Sequence, residues 1–205
     1  MKTIYWIGYI FFRSAGKAFY NLRLVNEEKL VQEGGVMMAA NHESFLDPPL
    51  IGISHPENVT YLARKTLFRG LGKWLYTRWD AIPVDQENPD MTGLKKIIKA
   101  LKTGKKVVMF PEGERTLTGD LNPALPGVGL IVAKSLRTVQ PMRIFGAREA
   151  LPRGSGRMNM AQIAVVVGDP LVFDKETVAQ YRGKEGYQAI ADKVMSAIAA
   201  LEDPR

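Results

Sequence analysis

His42 and Asp47 are the residues whose types and spacing best suit acid–base chemistry, and they lie in the segment NHESFLDPP at residues 41–49. A carboxylate that accepts a hydrogen bond from one imidazole nitrogen fixes the tautomer of the ring, raises its basicity and stabilises the imidazolium. The other nitrogen can then take a proton from an alcohol. The pair is therefore predicted to be a catalytic base, His42, supported by Asp47.

The chain between these two residues must fold back for that chemistry to occur. On a continuous helix, a spacing of five residues turns the two side chains about 140° apart. Pro48 disfavours helical backbone at Asp47, which instead suits an N-cap with Pro48 at the first helical position. A loop from a preceding strand to that cap would bring His42 within hydrogen-bond reach of Asp47. The alternative, in which Asp47 only caps a helix and His42 is an ordinary loop residue, stays open on this segment alone.

A second charged loop, FPEGERT at residues 110–116, follows another apolar run. Gly113 permits close backbone approach, and Arg115 can make a bidentate contact with a phosphate. Glu112 can accept from a hydroxyl or orient a base. In isolation the segment also suits a simple turn.

Short apolar runs alternate with helical patterns along the chain, and they must position these loops. The runs predicted to be strands are 35–40, 59–63, 81–84, 106–110, 139–145 and 163–167, the third at a sheet edge because of Pro83. Helices are predicted at 90–102, at 127–135 and from about 177 to 201, with an interruption at 183–186. The alternation predicts an α/β fold: a single domain with a mostly parallel or mixed central sheet flanked by helices. In such sheets ligands usually bind beyond the carboxyl ends of the strands, where both charged loops lie.

The N-terminus is apolar and aromatic from Ile4 to Phe12, and this run ends at Arg13. It is well short of the roughly 20 residues that span a bilayer, whereas its Trp and Tyr favour the lipid–water interface. Residues 1–24 are therefore predicted to be an amphipathic membrane-interface segment, and residues 25–205 the enzymatic domain. The alternative is a helix packed on the protein's own core.

The formal net charge of +7 is unevenly distributed, because residues 61–105 contain ten Lys or Arg and only four Asp or Glu. Such a surface attracts nucleic acid, anionic lipid headgroups or phosphorylated substrates and carriers, and a solvated basic face is the simpler alternative. No nucleic-acid partner is predicted, since aromatic and basic residues are not interleaved and no helix-turn-helix pattern occurs.

With no cysteine and two histidines, thiol catalysis is excluded and no metal site is predicted. The second histidine, His55, is predicted to lie in a surface turn without a function.

The two charged loops together resemble motifs of the glycerolipid acyltransferase family, in particular those of bacterial 1-acylglycerol-3-phosphate acyltransferases. The family's first motif, Asn-His-x4-Asp, is matched by Asn41, His42 and Asp47. Its third motif, Phe-Pro-Glu-Gly-Thr-Arg-Ser, is matched at residues 110–116, except that Glu114 replaces Thr and Thr116 replaces Ser. The similarity extends over residues 36–146, just over half of the chain.

The resemblance implies an O-acyltransferase of phospholipid biosynthesis. It would move a fatty acyl group from acyl-carrier protein or acyl-CoA to a hydroxyl of a lysophospholipid such as 1-acylglycerol-3-phosphate. His42 would be the general base, Asp47 would support it, and no covalent intermediate on Ser44 is expected. The substrate-binding residues would be Glu112, Gly113, Arg115, Arg64 and Lys65.

By the same resemblance, no cofactor is expected beyond the acyl donor. The implied partners are a lysolipid acceptor, the acyl-carrier protein or acyl-CoA, and an anionic membrane surface. The implied location is peripheral, on the cytoplasmic face of the cell membrane. Two alternatives are a different lysolipid acceptor and a non-catalytic lipid-binding module on the same fold.

Two departures from the family pattern concern the charge around the expected phosphate. In the second motif Asp85 is followed by Gln86 rather than by the usual arginine, and in the third Glu114 adds a negative charge. Both weaken the case for a simple lysophosphatidate acceptor, and they are compatible with a different headgroup. The candidates for the missing positive charge are Arg64, Lys65, Arg78 and Arg115.

Overall fold

A computed structural model describes residues 3–84 and 91–205 of the chain. The helices are α1 (Thr3–Tyr20), α2 (Asp47–Ser54), α3 (Leu71–Arg78), α4 (Met91–Lys102), α5 (Pro126–Ser135), α6 (Ala147–Ala150), α7 (Lys175–Ala179) and α8 (Gly183–Ala199). The strands are β1 (Arg23–Val25), β2 (Val36–Ala40), β3 (Val59–Thr60), β4 (Leu62–Arg64), β5 (Ile82–Val84), β6 (Lys106–Met109), β7 (Thr138–Phe145) and β8 (Ala164–Val167). Two 3-10 helices span Glu27–Lys29 and Lys65–Leu67.

Six strands form the central sheet in the order β1-β8-β7-β2-β6-β3. Strand β2 lies parallel to both of its neighbours, and β6 is also parallel to β3. Strand β8 runs antiparallel to β7 and parallel to β1. The sheet is thus mixed but mostly parallel, and the predicted α/β fold is confirmed.

The core lies on both faces of this sheet because the central strand β2 is buried on both sides. Val36, Met38 and Ala40 face a cluster that includes side chains of α1, α2 and α6. Met37 and Ala39 face a second cluster with side chains of α4, α5 and α8. Burial on both faces explains why β2 reads as an unbroken apolar run rather than as an alternating pattern.

Several predicted elements differ in detail from the structure. The run at 59–63 forms two strands, and β4 leaves the central sheet to pair with β5 in a separate two-stranded sheet. The C-terminal helix is interrupted at 180–182, before the glycines rather than at them. Strand β1 was not predicted. Pro83 does lie on an edge strand, since both strands of a two-stranded sheet are edges.

Helix α1 packs on the core with one face and exposes apolar side chains on the other, and the predicted membrane-interface role of this segment stays a prediction. One face packs on the core through Tyr5, which is buried and whose hydroxyl accepts a hydrogen bond from Val59 N at 3.2 Å. The other face exposes Trp6, Ile7, Ile10 and Phe11. None of the helices in the described ranges is long and apolar enough for a transmembrane span.

Candidate active site

The loop that follows β2 is fastened to the neighbouring strand β7 by Asn41. The buried Asn41 amide accepts a hydrogen bond from Ile144 N at 2.7 Å and donates one to Ile144 O at 3.0 Å. Because β2 and β7 are parallel neighbours, this reciprocal pair fixes the loop at the carboxyl end of the sheet. His42 is the next residue and is thereby held where α/β sheets usually bind ligands.

His42 and Asp47 are in direct contact. His42 Nδ1 lies 2.7 Å from Asp47 Oδ2, and the same oxygen accepts hydrogen bonds from Glu43 N and Ser44 N, each at 2.7 Å. The loop therefore folds as a turn around the carboxylate, which confirms the predicted contact. The alternative in which Asp47 only caps a helix does not describe this arrangement.

Asp47 is also placed slightly differently from the prediction. It is the first residue of α2, and Leu46 is the N-cap, so the predicted N-cap position was wrong by one residue. The backbone N–H groups that Asp47 accepts from precede the helix instead of belonging to its first turn. The carboxylate thus organises the loop that carries the histidine.

The electrostatics of Asp47 reflect two opposing effects. Its side chain is fully buried, and burial raises the pKa of the carboxyl group. The His42 ring and the N–H groups of Ser44 and Glu43 lower this pKa, because they stabilise the carboxylate. An ionised Asp47 keeps a proton on His42 Nδ1 and leaves Nε2 as the nitrogen that can accept one.

The imidazole of His42 is held on one face by an aromatic ring. It stacks on Phe110 with ring centroids 4.1 Å apart and planes inclined by 15°. The His42 side chain is 18% exposed, whereas that of Asp47 is 0% exposed. An acceptor hydroxyl can therefore reach the imidazole while the supporting carboxylate stays away from solvent.

Glu112 joins the two charged loops. Its carboxylate accepts hydrogen bonds from His42 N at 2.8 Å and from Asn122 N at 2.8 Å, one on each oxygen. His42 O in turn accepts from Thr116 N at 2.8 Å. Burial raises the pKa of Glu112, and the N–H groups of Asn122 and His42 oppose this rise. The observed contacts are those of a positioning residue; direct binding of substrate by Glu112 stays a prediction.

Arg115 lies near the His42–Asp47 pair, with its guanidinium 3.5 Å from the ring centre of Phe45. Phe45 is 67% exposed. Arg115 Nη1 is buried without a hydrogen-bond partner among the described residues. A planar guanidinium with an unpaired donor suits bidentate recognition of a phosphate or carboxylate. Gly113, which precedes it by two residues, has a φ of 78° that favours glycine in this turn.

The negative charge of Glu114 is paired in the structure. Arg153 lies 3.4 Å from Glu114 Oε2 and also donates to Arg115 O. Burial lowers the pKa of Arg115 most, the nearby charges of Arg153 and Arg64 lower it further, and the charge of Asp47 raises it. The departure at Glu114 therefore leaves the surroundings of Arg115 cationic.

The other predicted basic residues lie at the end of β4. Arg64 is the last residue of β4 and Lys65 begins the following 3-10 helix, and both are exposed. Because the charge of Arg64 lowers the pKa of Arg115, the end of β4 lies near the two charged loops. The second-motif departure at Asp85 and Gln86 falls outside the described residues.

Sequence reasoning missed two residues that shape the His42 loop. Glu43 is buried, and its Oε1 accepts from Arg148 N at 3.0 Å at the start of α6. Burial, together with the negative charges of Asp47 and Glu149, raises the pKa of Glu43 to about 7. The position of Glu43 inside the motif was the only available signal, since its partner follows more than 100 positions later.

Ser44 is fully buried and donates from Oγ to Leu151 O at 2.9 Å. Its hydroxyl is therefore engaged in fixing the loop.

His55 is buried as well, with Nε2 3.3 Å from Val31 O and Nδ1 accepting from Glu57 N at 3.0 Å. The prediction of a surface position at His55 was wrong, because the residue is buried and both ring nitrogens contact backbone groups.

An apolar groove of about 440 Å³ begins next to the His42 loop. Phe11, Phe12 and Phe19 of α1 line one side, and Leu46 and Pro49, on either side of Asp47 and Pro48, line another. The groove therefore connects the surroundings of the catalytic pair with the exposed face of α1. Its dimensions and apolar lining suit an alkyl chain.

A family model described as Acyltransferase matches residues 21–145, which is more than half of the chain. The matched range contains both charged loops and the strands β1 to β7.

Two similar curated proteins are named as acyltransferases. The 1-acyl-sn-glycerol-3-phosphate acyltransferase of Bacillus subtilis (strain 168) is 29% identical over 203 residues, 95% of this chain and 97% of that protein. The enzyme of the same name from Helicobacter pylori is 32% identical over 146 residues, 66% of this chain and 60% of its own length.

A solved structure supports the fold. The crystal structure of the 1-acyl-sn-glycerophosphate (LPA) acyltransferase of Thermotoga maritima superposes with a TM-score of 0.75 at 19% identity, covering 98% of this chain and 81% of that one. At this identity the likeness concerns the fold, while the family model and the curated relatives concern the activity. The chain belongs to the Acyltransferase family and is an O-acyltransferase.

Proposed function

We propose that the protein transfers a fatty acyl group from the thioester of acyl-carrier protein or acyl-CoA to the free hydroxyl of 1-acylglycerol-3-phosphate. The observation that carries this proposal is the 2.7 Å contact between His42 Nδ1 and the buried Asp47 carboxylate, beside the cationic Arg115. The named activity of the Bacillus and Helicobacter relatives supports the choice of acceptor.

In the proposed reaction, His42 Nε2 takes the proton from the acceptor hydroxyl as its oxygen attacks the thioester carbonyl carbon. The resulting imidazolium is stabilised by Asp47 through Nδ1–H. The tetrahedral intermediate then collapses, the carbon–sulfur bond breaks, and the proton passes from His42 to the leaving thiolate. Base catalysis of this kind supplies about 10²–10⁴-fold in rate.

The acceptor phosphate is proposed to bind Arg115, with Arg64 and Lys65 adding positive charge. Because Arg153 pairs with Glu114, the departure at that position does not by itself disfavour a phosphate headgroup. The apolar groove along α1 is proposed to receive an alkyl chain of the substrates. Glu112 and Gly113 shape the loop that presents Arg115.

We further propose that the protein works at the surface of a membrane, on its cytoplasmic face, without spanning it. The exposed side chains of α1 support this location, since Trp and large aliphatic residues partition into the lipid–water interface. Both substrates of the proposed reaction carry acyl chains, so an interfacial position would give the groove direct access to lipid. The proposed place in metabolism is phospholipid biosynthesis.

The test is His42→Ala, assayed with 1-acylglycerol-3-phosphate and with acyl-CoA and acyl-carrier protein as separate donors. Turnover is expected to fall by about 10²–10⁴-fold with both donors, because the proton acceptor is removed. The thermal unfolding midpoint serves as the control for folding and is expected to stay close to that of the wild type. A variant that folds and retains full turnover would show that His42 is not the base.

A further inference from the structure

The surface around helix α3 presents apolar side chains that no part of the described protein covers. Leu71 is 88% exposed, Trp74 is 53% exposed, and Leu67 in the preceding 3-10 helix is 43% exposed. Leu71 and Trp74 are three positions apart and Arg78 follows four positions later, so these residues share one face of α3. The Arg78 guanidinium lies 5.2 Å from the centre of the Trp74 ring. This face is apolar at its centre and cationic at its end.

The same segment is strongly basic. Between Asn58 and Trp79 the sequence contains five Arg or Lys and no Asp or Glu. Arg69 and Lys73 are both exposed; Arg69 precedes α3, and Lys73 lies about 160° round the helix from Leu71, on its polar side. We call Leu67, Arg69, Leu71, Lys73, Trp74 and Arg78 the α3 surface. Exposed large apolar residues interspersed with cations are the composition of helices that lie in the headgroup region of anionic bilayers.

The α3 surface lies next to the proposed active site and next to α1. Strand β4 leads into it, and Arg64 at the end of β4 acts electrostatically on Arg115. Helix α1 approaches the other end, since a β-carbon on Gly8 would lie 3.9 Å from the indole of Trp79, the residue that follows α3. The α3 surface therefore lies between the cationic surroundings of Arg115 and helix α1, the other element proposed to contact the membrane.

We infer that the α3 surface is a second membrane-binding element, which inserts Leu71 and Trp74 between the headgroups of anionic phospholipids while Arg69, Lys73 and Arg78 bind their phosphates. This inference rests on the proposed membrane-surface function and extends it to a segment separate from α1. Binding through two elements would fix the orientation of the site relative to the bilayer, which a single helix does not do.

Helix α4 provides an internal comparison for the role of charge. It exposes the four lysines Lys95, Lys96, Lys99 and Lys102. Ile97 and Leu101 on its apolar side are buried in the core, and the helix exposes one large apolar side chain, Met91 at its first position, but no Leu or Trp. If charge alone governed binding, both helices would contribute. If the combination of apolar insertion and charge governs it, α3 dominates.

The first experiment measures binding of the full-length protein to vesicles made of equal parts phosphatidylcholine and phosphatidylglycerol. Arg69→Gln with Lys73→Gln is expected to weaken binding about 25-fold, since one cationic side chain near an anionic surface contributes roughly fivefold in affinity. The matched pair Lys95→Gln with Lys99→Gln removes the same charge and is expected to stay within about twofold, because no exposed Leu or Trp of α4 accompanies these lysines to hold them at the bilayer. Equal losses in the two pairs would overturn the inference.

The second experiment uses the absence of cysteine in the chain. Leu71→Cys and, as control, Lys95→Cys each give a single site for an environment-sensitive fluorophore. The label at position 71 is expected to shift to the blue on adding these vesicles and to be quenched by brominated lipid, while the label at position 95 stays unchanged. If acyl-carrier protein shifts the label at position 71 and vesicles do not, the surface binds the carrier and the bilayer assignment is wrong.

A separate assay keeps this inference distinct from the proposed function. Acyl transfer to acceptor dispersed in detergent micelles is expected to be the same for the wild type and for Arg69→Gln with Lys73→Gln, because the reaction there needs no bilayer. Wild-type protein that binds vesicles through α3 yet transfers no acyl group would refute the proposed reaction alone. Loss of transfer in micelles by this variant would instead place the residues in substrate binding and refute their membrane role.

Discussion

The Asp47 carboxylate accepts three hydrogen bonds on one oxygen, from His42 Nδ1, Glu43 N and Ser44 N. Two of these bonds shape the loop, and one orients the base. This division means that the shape and the charge of the side chain can be tested separately. An asparagine retains the shape and an acceptor oxygen, but it lacks the charge that stabilises an imidazolium.

Asp47→Asn is therefore expected to lower kcat by about 10²–10⁴-fold with little change in the KM for the acceptor. Steady-state kinetics with 1-acylglycerol-3-phosphate measures both quantities. Asp169→Asn is the matched control, because Asp169 is 82% exposed and pairs with Lys29 at the surface; its kcat is expected to be unchanged. An effect of Asp47→Asn on KM alone would assign Asp47 to the shape of the loop and not to the chemistry.

Glu43 is a buried ionisable group whose titration falls near neutral pH. Its pKa rises from the ordinary value of 4.5 to about 7, chiefly through burial. Between these two values the folded protein holds a proton that the unfolded chain has released. The free energy of unfolding therefore decreases as the pH rises through this window, and the decrease is complete above the folded pKa.

Glu43→Gln removes this titration and is expected to stabilise the protein relative to the wild type at pH 8 but not at pH 4. The difference between the two conditions is expected to approach about 3 kcal/mol, the free energy equivalent of the shift. Denaturant unfolding of both proteins at each pH measures it, and the contributions of other groups cancel in the comparison. Parallel stability curves for the two proteins would contradict the raised pKa.

At the scale of elements, helices α5 and α8 cross closely at a glycine. A β-carbon on Gly129 would lie 1.8 Å from Tyr187 O, a backbone atom of α8. Gly127 in the same helix is different, since no described atom lies within 4 Å of the position that its β-carbon would take. Substitution of Gly129 therefore tests the close packing of the two helices. Substitution of Gly127 tests only the intrinsic cost of a glycine in a helix.

Gly129→Ala is expected to destabilise the fold by at least about 2 kcal/mol, because the two backbones must move apart. Gly127→Ala is expected to be neutral or to stabilise by up to about 1 kcal/mol through helix propensity. Thermal or denaturant unfolding measures both changes. Similar effects of the two substitutions would indicate that the crossing of α5 and α8 is not closely packed in solution.

The elements that hydrophobic periodicity predicts best are those whose burial follows a simple pattern along the whole element. The buried strand β2 and the helix α4, with one apolar face and a row of lysines, were both predicted from the sequence. The run at 59–63 was predicted as one strand because its residues are uniformly suited to a strand. Its division between two sheets depends on which partner each half pairs with: Val59 of β3 pairs with Lys106 of β6, whereas Leu62 of β4 pairs with Ile82 of β5.

At the scale of the whole molecule, most of the net charge of +7 arises from residues 61–105, which include α3 and α4. Exposed large apolar side chains accompany this charge on α3, and others lie on α1. The protein therefore combines an electrostatic attraction to anionic lipid with an apolar contribution that salt does not screen.

Binding of the wild type to phosphatidylglycerol-containing vesicles is accordingly expected to weaken at least tenfold as the salt concentration rises from about 0.05 M to about 0.5 M. A residual affinity is expected to persist at high salt, and it should equal the affinity for vesicles of pure phosphatidylcholine. Co-sedimentation over a salt series measures both. Binding that is independent of salt would show that the cations of the α3 surface do not contact the membrane.

The sequence by itself predicted the fold class, the contact between His42 and Asp47, and the two charged loops at the carboxyl ends of strands. It could do so because these features depend on residue types within short segments, where spacing limits the geometry. His42 and Asp47 are five positions apart, and a strand followed by a proline-ended loop leaves few ways to join them.

Only the tertiary structure decided which groups support that pair. Glu112 accepts from His42 N across 70 positions, Glu114 pairs with Arg153 across 39, and Glu43 accepts from Arg148 N across 105. Long separations leave no periodic trace in the sequence, because the two partners are brought together by the order of strands in the sheet. For the same reason the structure alone shows that α1 packs on the core with one face and exposes its other face beside an apolar groove.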